Sequence, residues 1–487
     1  MKKCLVILLA LIFAVAPITP VLADTPYQGF SYNHWANMVA APVAYAPVRS
    51  FGLHDICPSL GEMSEPTDLH VDPERNIYLV DNNNHRIIVF DFDLNLNRVI
   101  CGFYRDGEFS TFNRPTGVFV TQDMEIFISD TLNYRIVVLD QNDNFIREIL
   151  SPELTGREEA FVFLPLHIVV DRGGRTFVIV QREFEGIMSF DPNGEFIGYF
   201  GTITVGFNPW EAFWRLFMTQ EQISRQRLFI PTEFQGMDID PYGFIFTTNI
   251  ERWARANQVM RLNPRGDNVI RNFNDNVRLS GTQNIRFGGA LSGPSVFVDV
   301  AAMTHGMFVC LDSTRGRLYT YDQEGNMLFA VGGTGSMQGM ARRPVSVVVY
   351  NYDDFLVLDA HGRGRIIHFA PTEYGRLILT AVRARYDGDE ATAVASWRRL
   401  TELDENFTLA WSGIGRSMLA YGDNVQAMYY LRRGRDVRYY SVAFRRHRLD
   451  VMQNVLPAVL TGGMILAGLL IVLKIVLFFR KRGAEAL

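Results

Sequence analysis

The chain has 487 residues, a net charge of -5 and 20% charged residues. That length has room for about three domains. A charge balance this even excludes a polybasic surface for nucleic acid.

At the N-terminus Lys2 and Lys3 precede an apolar run from Cys4 to Ala16, and Val21-Leu22-Ala23 follows with small residues. This order predicts a secretory signal peptide over 1–23. Cys4 stands at the front of the run, away from the cleavage end, so it is badly placed for lipidation. Three cysteines then remain, Cys57, Cys101 and Cys310, and an odd number in an exported protein requires a free thiol or an intermolecular pair. Sequence leaves a Cys57–Cys101 disulfide open, and the spacing fits no paired-cysteine zinc site.

Residues 24–62 form a lead-in segment that contains AYAPVRSFG, Ala44 to Gly52. Beyond it, Pro66 to Asp91 and Pro115 to Asp140 superimpose without a gap at an offset of 49 residues. In each copy Asp81 or Asp130 ends an apolar strand, Arg86 or Arg135 follows five positions later, and Asp91 or Asp140 closes the next strand. Weaker copies open at Pro165, Pro231, Pro294 and Pro344, the fifth with Asp312, Arg317 and Asp322 and the sixth with Asp359 and Arg365. Six short β-meanders of this size suit a six-bladed β-propeller. The segment AYAPVRSFG resembles the last strand of other units and is expected to complete the final blade, although RLILTAV (Arg376 to Val382) offers a rival strand there.

The repeat resembles the NHL family of six-bladed propellers, over roughly Pro66 to Val382. The expected fold is mainly β: an NHL-like propeller over 63–382 with a helical insertion about 202–230. In that insertion Trp210, Phe213, Trp214 and Phe217 fall on one helical face, which either packs on its own protein or meets a partner.

From 383 to 453 the pattern turns helical, and Gly388, Ala393 and Trp397 recur as Gly422, Ala427 and Leu431 at an offset of 34. Trp411, Ile414 and Gly415 resemble the start of a tetratricopeptide repeat. The apolar run 455–479 is predicted to be one transmembrane helix, with 480–487 as a cytoplasmic tail and the larger part of the chain outside. Just before it, seven arginines crowd into seventeen residues, and Arg445, Arg446 and Arg448 are candidates for contact with anionic lipid or an acidic partner membrane protein. The combination resembles the membrane-anchored NHL-repeat proteins of bacteria.

The recurring pairs Asp81 and Arg86, Asp130 and Arg135, and Asp312 and Arg317 read as scaffold, the Asp capping turn amides of its hairpin and the Arg pairing with it. Repetition opposes a reaction centre, which needs one asymmetric constellation. Six-bladed relatives nevertheless include calcium-dependent lactonases and a zinc-dependent lyase of amidated peptides. His70 and His167 lie on or near innermost strands, with Glu233, Asp238 and Asp299 at comparable places in later units. These are candidate channel residues for a divalent metal, although no family metal motif transfers onto them. No Walker loop, dinucleotide fingerprint or nucleophile elbow is present. The leading reading is a non-enzymatic surface protein without a cofactor that recognises a protein, peptide or glycan; a metal-dependent lactonase- or lyase-like enzyme is the alternative.

Overall fold

The computed structural model describes residue 25 and residues 27–32, 38–154, 161–201, 233–249, 258–270 and 295–485. The signal-peptide stretch and the stripe Trp210, Phe213, Trp214 and Phe217 lie outside the described residues. Two compact units divide the chain, one spanning Val43–Thr372 and the other Glu373–Leu487 with Phe30–Pro42.

The first unit is a ring of six antiparallel blades. Their inner strands are Pro66–Val71, Val118–Val120, Pro165–Val170, Phe234–Ile239, Phe297–Ala302 and Pro344–Tyr350. Each is followed outward by a second and a third strand, as in blade 1 by Ile77–Asp81 and Arg86–Phe90. In blades 1 to 5 the second strands are buried along their whole length because a neighbouring blade covers each face. Their sequences, IYLVD, IFISD and FVCLD, therefore read as continuous apolar runs, as strands covered on both faces do. The ring closes as expected, since Tyr45–Phe51 pairs with Arg365–Pro371 and becomes the outer strand of blade 6. The rival stretch RLILTAV lies inside the helix Glu373–Asp387, so blade strands end at Pro371, short of the expected boundary at 382. An additional hairpin, Gly102–Arg105 with Glu108–Thr111, joins blades 1 and 2.

The Asp–Arg pairs sit directly opposite one another on the second and third strands: Asp81 with Arg86, Asp130 with Arg135, Asp312 with Arg317. One correction concerns what the Asp caps. Asp81 Oδ1 accepts from the backbone N–H of Ser64, 2.7 Å away in the loop that enters the blade, while Oδ2 accepts from Arg86 Nε and the Asn84 side chain. Asp130 repeats the arrangement with Asn113, Arg135 and Asn133. In these two blades the clip thus fastens the incoming loop to the blade instead of capping the hairpin's own amides. In blade 5 Asp312 takes N–H groups from Val296 and Thr314, and Arg315 approaches it at 3.7 Å.

A second carboxylate device organises the tight turns. Asp72 accepts from the Asn76 N–H and side chain, closing the hairpin over Arg75 in the left-handed region (φ 70°). Asp91, Asp140, Asp171, Asp191, Asp240 and Asp322 each accept the N–H four residues on in the same way.

In the second unit four helices, Glu373–Asp387, Glu390–Leu403, Thr408–Ala420 and Asn424–Arg433, precede one of 49 residues, Val437–Glu485. Asp389 and Asp423 cap their helices through the N–H groups of Thr392 and Gln426. Gly413 lets Trp397 approach; a Cβ there would lie 2.6 Å from the indole nitrogen. Leu419, Ala427, Leu431 and Ala443 tie the last three helices together. The final helix is long and apolar enough to cross a membrane, and none of its apolar window is buried.

Candidate functional site: the central channel

The inner strands surround a cavity of about 1020 Å³. Its exposed lining residues include Pro73, Gln122, Asp123, Arg172 and Pro241 in the hairpin tips that follow the inner strands, so the cavity opens at that end.

Two residues after Pro66, Pro115, Pro165, Phe234, Phe297 and Pro344, the six blades place Asp68, Gly117, His167, Gly236, Asp299 and Ser346. In five blades the register shifts at this point, a β-bulge that re-aims the backbone next to the cavity. Where glycine occupies the level, the next blade comes close. A Cβ on Gly236 would lie 2.5 Å from Asp299 Cα. Gly236→Ala is therefore expected to destabilise the propeller by about 1–3 kcal/mol through overpacking, read as a lower thermal midpoint of the purified full chain.

The carboxylates at this level stitch blades together. Asp68 accepts from the Ser346 hydroxyl at 3.1 Å and from the Val118 N–H at 3.2 Å, joining blade 1 to its two neighbours. Asp299 accepts from the Val347 N–H at 2.8 Å, joining blades 5 and 6. One layer further along, Asp238 accepts from the Ala302 N–H at 2.8 Å, joining blades 4 and 5.

Burial sets their protonation. It pushes Asp68 and Asp299 up to about 7 and Asp238 up to about 6, although each accepts hydrogen bonds that favour the charged form. His70 falls to about 4 through burial, and its ring packs 4.8 Å from that of Phe119. His167 also falls through burial, against the pull of Asp299. Because the folded pKa of Asp299 lies above the ordinary carboxylate value of 3.8, its contribution to stability is full below that value and is lost as pH rises through about 7. Asp299→Asn keeps an oxygen for Val347 and removes the titration. Its thermal midpoint relative to the wild type is expected to rise between pH 5 and pH 8.

Of the five sequence candidates, His70, His167, Asp238 and Asp299 line the cavity. Glu233 does not; its carboxylate accepts the Arg182 backbone N–H between blades 3 and 4. Among the described residues no group of three His, Cys, Asp or Glu is placed to hold a metal ion. Among the described residues the channel carboxylates instead accept backbone amides. Sequence reading missed Asp68, whose only signal was its place two residues after the repeat-opening Pro66. Cys57, Cys101 and Cys310 are free thiols.

The NHL repeat model matches residues 63–90. No curated protein matches the chain. Among solved structures, virginiamycin B lyase from Staphylococcus aureus is 8% identical, with 67% of this chain and 99% of that one covered at a TM-score of 0.41. A gluconolactonase from Xanthomonas campestris is 9% identical, covering 71% and 95% at 0.41. The RRP9 WD40 repeats are 9% identical, covering 70% and 100% at 0.41. Similarity this low carries no chemistry to the present chain. What the blades, the ring closure and the family match establish is a six-bladed β-propeller bearing an NHL repeat, followed by a helical C-terminal region with one long apolar helix.

Proposed function

We propose that this chain is an exported, single-pass membrane protein whose propeller binds a protein, peptide or glycan at the hairpin end of its channel. The observation that carries the reading is the division of labour in the channel. Its buried polar groups fasten blade to blade, while Gln122, Asp123 and Arg172 stand exposed at the opening. Tyr242, between the lining residues Pro241 and Gly243, is 61% exposed. Such a rim offers hydrogen bonds, both charges and an aromatic face without a reaction centre.

A photo-crosslinking residue placed at Tyr242 of the full chain in its native membrane should yield a discrete adduct. One at Ile197, exposed on an outer strand, should not. Adducts at Ile197 alone would move the binding surface to the blade edges. The alternative, a metal-dependent enzyme of the lactonase or lyase kind, requires a stoichiometric metal in the purified chain that is lost on replacing His70 or His167.

The helical segment is read as tetratricopeptide-like, supported by the capping residues Asp389 and Asp423 at the 34-residue offset. The signal-peptide pattern of 1–23 and the long apolar helix support export with the propeller outside and the C-terminus in the cytoplasm. The chain should stay in the membrane pellet after alkaline carbonate washing, and protease added to spheroplasts should digest the propeller. Release by carbonate, or full protection, would contradict this placement.

A further inference from the structure

The arginines ahead of the apolar run are not equivalent. Arg433 donates to Glu405 at 2.6 Å and lies over Trp411. Arg446 donates to the Leu419 carbonyl at 3.3 Å, so this sequence candidate serves the packing of its own helical unit. Arg445 and Arg448 are different: both are exposed, and neither has a hydrogen-bond or ion-pair partner among the described residues. The one acid nearby on the same helix, Asp450, accepts from the Asn424 side chain at 2.7 Å and is held against the bundle.

Position gives the two free guanidinium groups a use. Three residues apart on an unbroken helix, they share a face. Seven residues separate Arg448 from Val455, where the apolar run begins, and ten separate Arg445 from it. At a rise of 1.5 Å per residue, they stand about 10 and 15 Å above the hydrocarbon edge. The headgroup layer is about 5–8 Å deep on each side. Both cations therefore fall within about one Debye length of its surface, where an anionic leaflet attracts them. Leu449 and Met452, exposed on the turns between them and the run, extend an apolar flank toward the membrane.

We propose that Arg445 and Arg448 form a phosphate-binding collar for anionic phospholipid headgroups in the leaflet that the helix enters. This rests on the reading that the helix crosses the membrane. Guanidinium forks match phosphate oxygens in geometry and charge. Residues 439–443 pack the same helix into the bundle, so the collar also fixes the height of the helical unit above the bilayer.

The full chain reconstituted in phosphatidylcholine vesicles, with spin-labelled phosphatidylglycerol or spin-labelled phosphatidylcholine as probe, tests this through the fraction of probe immobilised by protein. The wild type should prefer phosphatidylglycerol. The double variant R445Q/R448Q should lower that preference roughly tenfold or more, and raised salt should lower it likewise. Inorganic phosphate should compete no better than chloride at equal ionic strength, which separates a lipid site from a free-phosphate site. Arg432→Gln removes one charge from the preceding helix, Asn424–Arg433, and should have no effect. That helix ends just before the start of the long helix at Val437, itself about 27 Å from Val455 at a rise of about 1.5 Å per residue. Equal immobilisation of both probes, or a loss with Arg432→Gln as large as with the double variant, would overturn the collar. So would retention of an acidic membrane protein that alone depends on the two arginines. A chain that carbonate strips from the vesicles contradicts the membrane reading; a chain that stays but shows no lipid preference contradicts only the collar.

Discussion

Tyr45→Ala is expected to destabilise the propeller by about 3–5 kcal/mol, the range for truncating a large buried aromatic. Tyr45 is fully buried on the strand that completes blade 6. Its ring stacks on Phe355 at 4.6 Å and meets Phe329 at 5.0 Å, and its hydroxyl donates to the Asp353 carbonyl at 2.7 Å. The first two contacts hold the N-terminal strand against blades 5 and 6. Because whole domains are stable by only about 5–15 kcal/mol, the loss removes much of the margin that keeps the ring closed. Tyr45→Phe keeps the packing and gives up only the hydroxyl bond, about 1 kcal/mol. Thermal unfolding of the detergent-purified full chain measures both variants. If Tyr45→Ala melts with the wild type, this strand does not close the ring.

Asp81→Ala is the second change with a large expected effect. Asp81 is completely buried, and the Arg86 it faces is 14% exposed, so removing the carboxylate leaves a largely buried cation without its partner. It also strands the Ser64 N–H, whereas the Asn84 amide keeps the Glu62 carbonyl. Breaking a buried pair from one side costs about 3–5 kcal/mol. Asp130→Ala removes the same clip from blade 2. The two changes touch different loops and should add to within about 0.5 kcal/mol. Asp81→Asn should cost less, since one amide oxygen still serves Ser64. A photo-crosslinker at Tyr242 should give the same adduct in the folded fraction of each variant, because the clips lie in the blades and outside the channel lining. Wild-type melting together with loss of the adduct would make Asp81 a binding residue instead.

The sequence carried the architecture most plainly where the chain repeats itself. Pro66, Asp81, Arg86 and Asp91 mark four turning points of one blade, and their return at Pro115, Asp130, Arg135 and Asp140 reveals the unit. Ring closure was legible too, because AYAPVRSFG keeps the pattern of an outer strand although it precedes the first blade. The boundary at 382 failed for a physical reason: RLILTAV is apolar enough to pass for a strand, and only its place in the helix from Glu373 shows that its burial is helical. The hairpin at 102–111 was hidden by being four residues on each side inside the repeat rhythm. Asp68 escaped for another reason. A strand pattern gives alternation between faces, but a bulge at the channel changes which side chains point inward, and no spacing within one blade records the neighbouring amide that each carboxylate accepts. Glu233 was misplaced by the same gap between position along a strand and position around a ring. Among the arginines, composition showed the charge, whereas only the packed helices separate Arg446 from Arg445 and Arg448.

The most direct measurement of the central claim is capture of partner by variants of the channel opening. Arg172→Glu, Asp123→Lys and Gln122→Ala alter exposed residues at the hairpin end and should leave the thermal midpoint within about 0.5 kcal/mol of the wild type, as surface substitutions do. In the native membrane, with the crosslinker at Tyr242, at least one of the two charge reversals should lower the adduct severalfold at unchanged protein level. An undiminished adduct in all three variants, each folded as the wild type, would contradict binding at the channel opening.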